Sequence, residues 1–283
     1  MFRKIHLTKR SQIYPAKLQF SRILIAILFV FIVGFKGNDV PESRMDDFRK
    51  IENKAFKVGE KLTFDVNYGF VTAGIAVMQV QKVKKISGRD SYYITFDVNN
   101  VPSFDWLYRV RDKYETYLDM EGLFPWRFEQ HIREGNFKRD FSAFFDHRKG
   151  KAKTSTGDYE IPKYVNDILS AFYITRTFDY SNMKVNDRIN LQNFYKDKVY
   201  DLDVRYLGKE TVEVSAGKFE CIIIEPLVQE GGLFKSEGSI VIWLSNDNLK
   251  IPIKVKTKVV IGHIDAELTK YEGLAGKLTS KGK

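Results

Sequence analysis

Two histidines and two aspartates lie near one another in the sequence and could support acid–base chemistry or bind a metal. His131 and His147 belong to neighbouring predicted strands, and Asp140 and Asp146 are close to them in sequence. A histidine beside a carboxylate can transfer a proton or ligate a metal. Both histidines fall at strand ends or on polar faces, which is typical of solvated side chains. We therefore predict neither catalysis nor metal binding here.

Other signatures of catalysis or cofactor binding are absent from the sequence. It contains no Gly-x-Ser-x-Gly elbow, phosphate-binding glycine loop or His-Glu-x-x-His motif. Ser245 and Asp247 belong to a Ser-Asn-Asp-Asn segment that is better explained by turn chemistry. The single cysteine, Cys221, lies in an apolar run and excludes an intramolecular disulfide and a cysteine-rich metal site. We expect no enzyme activity, no metal and no cofactor.

Asp112 breaks the pattern of its own segment, because it shares the parity of the apolar residues Trp106, Tyr108 and Tyr114. A carboxylate on an apolar face needs a partner or has a large desolvation cost. No partner is evident nearby, since Arg127 and Arg133 have the opposite parity. Asp112 is therefore a buried polar candidate. The alternative is a β-bulge that turns its side chain outward.

Period-two alternation defines the elements that must position these residues. Residues 105–119 alternate apolar and charged side chains, as a half-buried strand does. The pattern repeats over 124–133 and 139–147, with turn-like Met120-Glu121-Gly122 and Glu134-Gly135-Asn136 between the segments. These three strands predict an antiparallel meander with an aromatic inner face.

The rest of the chain predicts more strands and one helix. Residues 165–178 change to helical spacing, with Asn166 or Asp167 as the N-cap. We predict a mainly β protein, with a large antiparallel, strongly curled sheet or barrel-like domain and one packed helix that plugs or covers it. A two-sheet sandwich and a membrane-spanning barrel are the alternatives.

The aromatic inner face allows two interpretations. It is either an ordinary large core, since aromatic residues dominate such cores, or a cradle for an apolar ligand. In the second interpretation the predicted ligand-binding residues are Trp106, Tyr114, Trp126 and Phe128.

Charge and hydropathy divide the 283-residue chain into four parts. Residues 1–36 hold seven Lys and Arg, no acid, and an apolar run over 23–35, which predicts a signal peptide or signal anchor. Without this leader, 39 basic residues face 36 acidic ones, so the net charge of +10 does not indicate nucleic-acid binding. We predict a polar spacer over 37–56, the β domain over 57–272 and a frayed tail over 273–283.

Several segments resemble a family of exported bacterial proteins, domain of unknown function 3108. They are Val58-Gly59-Glu60-Lys61-Leu62, Arg111-Asp112-x-Tyr114-Glu115, the helix segment from Asp167 to Tyr173, Ala216-Gly217-Lys218-Phe219-Glu220-Cys221, and Trp243-Leu244-Ser245 followed by Ile251-Pro252. The resemblance extends over about residues 57–272 and departs at Ile168, where the family would have proline. It implies an envelope protein of antiparallel sheet, and it supplies no established activity or catalytic residues to carry over.

We expect a non-catalytic protein of the periplasm or cell envelope that binds an apolar or glycolipid-like ligand in its curled sheet. An uncleaved leader would tether it to the inner membrane. A structural or assembly factor that contacts envelope proteins is the alternative, and an envelope hydrolase is the third candidate. The expected partners are thus a lipid or glycolipid, or envelope proteins, and no nucleic acid.

Overall fold

The alternating segments form strands that join in one antiparallel sheet. The structure is a computed structural model, and it describes residues 48–228, 240–258 and 262–282. The predictions for the leader and for residues 37–47 lie outside these ranges. Among the described residues, no helix is long and apolar enough to cross a membrane.

In the described part of the chain, eight strands precede the helix. They are β1 (Lys61–Tyr68), β2 (Val71–Ile86), β3 (Arg89–Asn100), β4 (Arg111–Asp119), β5 (Pro125–Glu134), β6 (Phe137–Asp146), β7 (Lys151–Thr154) and β8 (Asp158–Glu160). A short 3₁₀ helix, Pro102–Phe104, lies between β3 and β4.

The helix α1 (Ile168–Thr175) comes next, and six strands follow it among the described residues. They are β9 (Arg188–Tyr195), β10 (Lys198–Val214), β11 (Gly217–Val228), β12 (Ile240–Ser245), β13 (Pro252–Lys258) and β14 (His263–Glu272). The predicted mainly β, antiparallel architecture with one helix is confirmed.

Neighbours in the sheet are mostly neighbours in the sequence. The order is β8-β7-β6-β5-β4-β3-β2-β1-β14-β13-β12-β11-β10-β9, and every adjacent pair is antiparallel. The pairing is open, with β8 and β9 as its edge strands. The two edges nevertheless touch, because the rings of Tyr159 on β8 and Phe194 on β9 have centroids 6.1 Å apart.

We call the face of the sheet that packs against α1 the inner face. Its largest cluster joins β1 residues such as Leu62 and Phe64 to Tyr173 and Ile174 of the helix. A second cluster joins β5 and β6 to β9, including Phe145 and Phe194 with ring centroids 5.7 Å apart. In these clusters the alternating apolar side chains of the strands therefore face the helix or another part of the sheet.

Three predicted boundaries are wrong. The strand predicted from residue 105 begins at Arg111, and the residues before it form the 3₁₀ helix and turns. The described part of the predicted spacer is packed, with Phe48 and Phe56 both buried. The predicted frayed tail pairs with β11, where Glu220 N–H donates to the Ser280 carbonyl (2.9 Å). Hydrogen bonds and apolar contacts that sequence periodicity does not reveal hold both ends of the domain.

Candidate functional site

Between α1 and the inner face lies an apolar cavity of about 330 Å³. Side chains from β1 to β4, from β9 to β14 and from α1 line it, among them Phe64, Phe96, Phe172, Val204 and Ile242. The described lining contains no charged residue. Its polar side chains are Tyr114, Thr175 and Asn193.

The N-terminus of α1 is fixed to β4 by its capping residue. Asp167 accepts N–H bonds from Leu169 (2.8 Å) and Ser170 (2.9 Å), and Ser170 Oγ accepts the Asp167 N–H (2.8 Å), which completes a capping box. Thr116 Oγ1 on β4 donates to Asp167 Oδ2 (2.7 Å). Burial raises the pKa of Asp167 to about 6 in spite of these bonds. The cap thus positions the helix at one wall of the cavity.

A buried ion pair fixes the other end of α1 to the start of the sheet. Arg176, directly after the helix, donates from its two terminal nitrogens to Glu60 Oε1 (2.6 Å) and Oε2 (2.8 Å). The guanidinium also donates to the carbonyls of Leu249 and Ala55, and both charged side chains are fully buried. A bidentate pair with its remaining donors satisfied avoids an uncompensated buried charge. Both ends of α1 are therefore bonded to the sheet, and these bonds fix the position of the helix over the cavity.

The inner face becomes more exposed toward the end of the sheet where β1 ends and β4 begins. Along the inner face of β1 the exposed fraction rises from 0% at Leu62 and 3% at Phe64 to 39% at Tyr68, with Val66 between them. Pairing of β1 with β2, β2 with β3 and β3 with β4 places Tyr68 and Arg111 at the same end. We call this end the mouth.

The four sequence-predicted ligand-binding residues occupy different places. Tyr114 lines the cavity. Trp106 is 83% exposed, outside any strand, which corrects its expected inner-face position. Trp126 is fully buried beside Phe124, and Phe128 is buried in the β5–β6 cluster, so neither lines the cavity. The structure does not bring the four together at one site.

Asp112 lies one inner-face position from Tyr114 toward the mouth and is 7% exposed. The pairing of β3 with β4 runs without interruption through Val98 and Asp112, so the bulge alternative is wrong. Its Oδ1 accepts the Arg133 backbone N–H (2.8 Å), and its carboxyl also bonds to the side chain of Glu134. Burial raises the pKa of Asp112.

The partner Glu134 could have been found from the sequence. It has the same parity as Phe128 and Ile132, and so belongs to the inner face of β5. Burial also raises the pKa of the Tyr114 phenol, which bonds to Gln130 on β5. Polar inner-face positions on β4 and β5 thus gather beside the apolar cavity.

The two histidines do not come together. His147 is buried, which corrects the expectation of a solvated side chain. Its Nδ1 accepts the Tyr164 N–H (3.2 Å), so Nε2 carries the proton and donates to the Pro125 carbonyl (2.7 Å). Burial lowers the pKa of His147 to about 4, so the imidazole is neutral at neutral pH. It is a structural residue of the aromatic cluster around Phe124.

His131 lies on the outer face, where it could ligate a metal with two glutamates. Its Nε2 is 3.5 Å from Glu115 Oε2 and 3.5 Å from Glu129 Oε2. Its Nδ1 is 2.7 Å from Asp140 Oδ1. A metal-bound histidine commonly makes such an outer contact with a carboxylate.

The charges around these two glutamates balance without a metal. Glu115 Oε1 is 3.0 Å from Lys113 Nζ, and Glu129 Oε1 is 2.6 Å from Arg127 Nε. Each carboxylate thus already faces a cation, and a divalent ion would add uncompensated positive charge. We assign no metal to this cluster.

Ser245 and Asp247 form a turn, as their sequence indicates. Ser245 Oγ donates to Asp247 Oδ1 (2.9 Å), which also accepts the Leu249 N–H (3.0 Å). Ser245 Oγ in turn accepts the Ile251 N–H (2.9 Å). The hydroxyl is occupied by backbone and turn contacts.

A family model matches most of the domain that builds this cavity. The family, described as protein of unknown function (DUF3108), matches residues 63–269. The chain belongs to this family. The resemblance inferred from the sequence segments is therefore confirmed. No curated protein matches the chain significantly.

The comparison with solved structures finds similar chains at low sequence identity. A beta-barrel-like protein of domain of unknown function DUF1849 from Brucella abortus is 12% identical, with a TM-score of 0.50; the match covers 76% of this chain and 97% of that one. A Bacteroides fragilis protein with a YmcC-like fold and a Parabacteroides distasonis protein titled as a lipoprotein are each 11% identical, with TM-scores of 0.33. Each match covers 80% of this chain and 100% of the other. At this identity the DUF1849 protein shows similarity of fold alone.

Proposed function

We propose that this DUF3108 protein binds an apolar, chain-like ligand between α1 and the inner face of its sheet, without a chemical step. The cavity carries this proposal. Its volume of about 330 Å³ falls in the range of small-molecule sites, which are mostly apolar with few polar groups. The described lining contributes no carboxylate, imidazole or thiol that could act as an acid, base or nucleophile.

The fixed helix supports a preformed site. An empty apolar cavity in a protein costs stability, because its lining loses contacts that close packing would supply. Here the capped N-terminus of α1 and the Arg176–Glu60 pair prevent the helix from settling into that space. Binding of a hydrocarbon chain would restore those contacts without reorganising the fold.

We also propose that the sheet curls strongly around the ligand site. Fourteen strands spaced by about 4.8 Å would form a flat sheet more than about 60 Å wide. The contact of Tyr159 on β8 with Phe194 on β9 joins the two edges of that sheet. The likeness to the beta-barrel-like DUF1849 protein supports the same shape.

The leader supports a location in the cell envelope. Its basic segment followed by an apolar run is typical of secretory signals. An exported protein meets membrane lipids and other acyl compounds, which have the chain shape that the cavity accommodates. We therefore propose an envelope component as the ligand.

Titration of the full-length protein with the neutral dye Nile red tests the proposal. We expect saturable binding at one site per chain, and displacement of the dye by dodecanol. The control is Trp106→Ala, which removes the exposed aromatic residue outside the cavity and should leave dye binding unchanged. Absence of saturable binding, or loss of binding in the control, would contradict a cavity site.

A further inference from the structure

Exposed apolar side chains of the domain are concentrated at the mouth, in the β1–β2 turn and in the connection between β3 and β4 (residues 101–110). We propose that these two segments insert their apolar side chains into the surface of a lipid bilayer with anionic headgroups. This inference goes beyond the proposed function and does not depend on it, since the side chains concerned do not line the cavity.

The exposed apolar side chains are not spread evenly over the domain. Among the described residues, ten large apolar side chains are exposed, and six of them belong to residues 68–75 or to the β3–β4 connection. These six are Tyr68, Phe70, Val71, Ile75, Trp106 and Leu107. The other four occur singly, at Val58, Val83, Phe144 and Val185. Single exposed apolar residues are common, but a cluster of them indicates an interaction surface.

Hydrogen bonds hold the β3–β4 connection in place on both sides. Val101 N–H donates to the Ala73 carbonyl (3.0 Å), which fixes the connection beside the start of β2. Gly135 N–H, in the β5–β6 turn, donates to the Arg109 carbonyl (2.7 Å). Trp106 lies between these two bonds and is still exposed. Its exposure is therefore a property of the folded domain, and its indole can contact a partner without rearrangement of the backbone.

Positive charge surrounds the apolar side chains. At the mouth, Lys and Arg number eight and Asp and Glu number four in residues 66–73, 98–113, 132–139, 256–258 and 262–265. Within the described ranges, three of these cations are exposed and form no ion pair: Arg109, Lys138 and Lys258. A positive surface is attracted to anionic headgroups, and each cation near such a membrane strengthens binding by about fivefold.

The arrangement favours a bilayer over a protein partner. A specific protein interface buries about 800 Å² of each partner over a continuous surface. Here the apolar side chains project from two turns, with Phe70 fully exposed on one and Trp106 exposed on the other. Aromatic side chains beside cations are the combination that binds the headgroup region of a bilayer.

Quenching of Trp106 fluorescence by lipid tests this inference in the full-length protein. The vesicles contain phosphatidylglycerol and phosphatidylcholine with brominated acyl chains, which quench only the tryptophans that reach them. The readout is local, so membrane contacts made elsewhere in the chain do not contribute. We expect quenching in the wild type and its loss in Trp106→Phe, because Trp126 is fully buried and Trp243 lies within β12 and bonds to Glu210.

Three variants that keep Trp106 as the reporter separate the contributions of the surface. Phe70→Ser combined with Leu107→Ser should weaken vesicle binding, measured by this quenching, by at least about tenfold. Arg109→Gln should weaken it by about fivefold on the anionic vesicles. Val83→Ser is the matched control, because it removes an exposed apolar side chain of β2 outside both segments, and it should leave the quenching unchanged.

Unquenched Trp106 in the wild type would overturn the inference, and so would equal quenching in the wild type and in the Phe70 and Leu107 double variant. Equal binding to vesicles of brominated phosphatidylcholine alone would overturn the preference for anionic lipid. Shielding of Trp106 that depends on protein concentration and not on lipid would place a second copy of the chain on this surface and would also overturn the inference. Should the double variant fail to fold, Phe70→Ser alone tests the same contact.

Discussion

Filling the cavity from the helix side should stabilise the protein and weaken ligand binding at the same time. Ala171 lies on α1, is 5% exposed and lines the cavity. Its substitution by leucine adds three carbon atoms at a position facing empty space. Alanine and leucine are both strong helix formers, so Ala171→Leu should leave α1 intact.

The magnitude follows from burial of those three carbons. Each buried methylene contributes about 0.8 kcal/mol, so complete burial gives about 2.4 kcal/mol. Fixing the leucine rotamer costs about 0.5–1 kcal/mol, which leaves a net gain of about 1.5 kcal/mol. For a unit of this size, that gain corresponds to an increase in Tm of about 3–6 °C.

The same substitution in a filled part of the core should have the opposite sign. Ala143 on β6 is 1% exposed and packs with Phe128, Phe141 and Phe145, away from the cavity. Ala143→Leu should therefore overpack its site and destabilise the protein by about 1–3 kcal/mol. The pair of variants separates an effect of the cavity from a general effect of added volume.

Thermal unfolding followed by circular dichroism measures the stability of both variants, and Nile red titration measures binding. We expect a higher Tm and weaker dye binding for Ala171→Leu, and a lower Tm with unchanged dye affinity for Ala143→Leu. If Ala171→Leu lowered Tm as Ala143→Leu does and bound the dye like the wild type, the cavity would not exist in solution.

Two further predictions concern the groups that hold the fold. Glu60→Gln leaves the Arg176 guanidinium buried without its counter-charge, so urea unfolding should show that the free energy of unfolding decreases by about 3–5 kcal/mol. The control Glu121→Gln changes an exposed ion pair and should lower it by less than about 0.5 kcal/mol. Similar losses in the two variants would refute the burial argument. The folded-state pKa of His147, about 4, lies below the usual value of 6.5, so the unfolded chain binds the proton first as the pH is lowered. The free energy of unfolding therefore has its full value above pH 6.5 and decreases by up to about 3 kcal/mol as the pH is lowered to 4. Urea unfolding measured across this pH range should show a smaller change of the free energy of unfolding with pH in His147→Gln than in the wild type. An identical dependence on pH in both proteins would contradict the assignment of this effect to His147.

Alternation in the sequence was enough to predict the type of fold, because a half-buried strand imposes period two on its side chains. It placed Asp112 and Tyr114 on one face, where the structure has them. It failed at Trp106, since alternation continued through residues 105–110, which form a turn and irregular structure before β4. Alternation in the sequence indicates on which face of the sheet a side chain lies, but it does not show at which residue the backbone pairing of a strand ends.

The cavity could not be located from the sequence for a different reason. Its lining comes from ten strands and α1, so its position depends on contacts between parts of the chain that are distant in sequence. The helix was predicted, and so was its covering role, but its height above the sheet depends on Arg176 and Glu60, which are 116 positions apart. The aromatic ring of Trp126 suggests a ligand contact, yet its Nε1 donates to Asp119 Oδ2 (3.0 Å) within a filled cluster. Residue type alone did not distinguish a filled core from a cavity wall.

Native mass spectrometry of the full-length protein, purified from the envelope fraction of the cells that express it, tests the central claim most directly. The account predicts one bound molecule per chain, which organic extraction releases as a compound with a hydrocarbon chain, and reduced occupancy in Ala171→Leu. A mass equal to that of the bare chain in both the wild type and the variant would contradict the claim that the cavity is a ligand site.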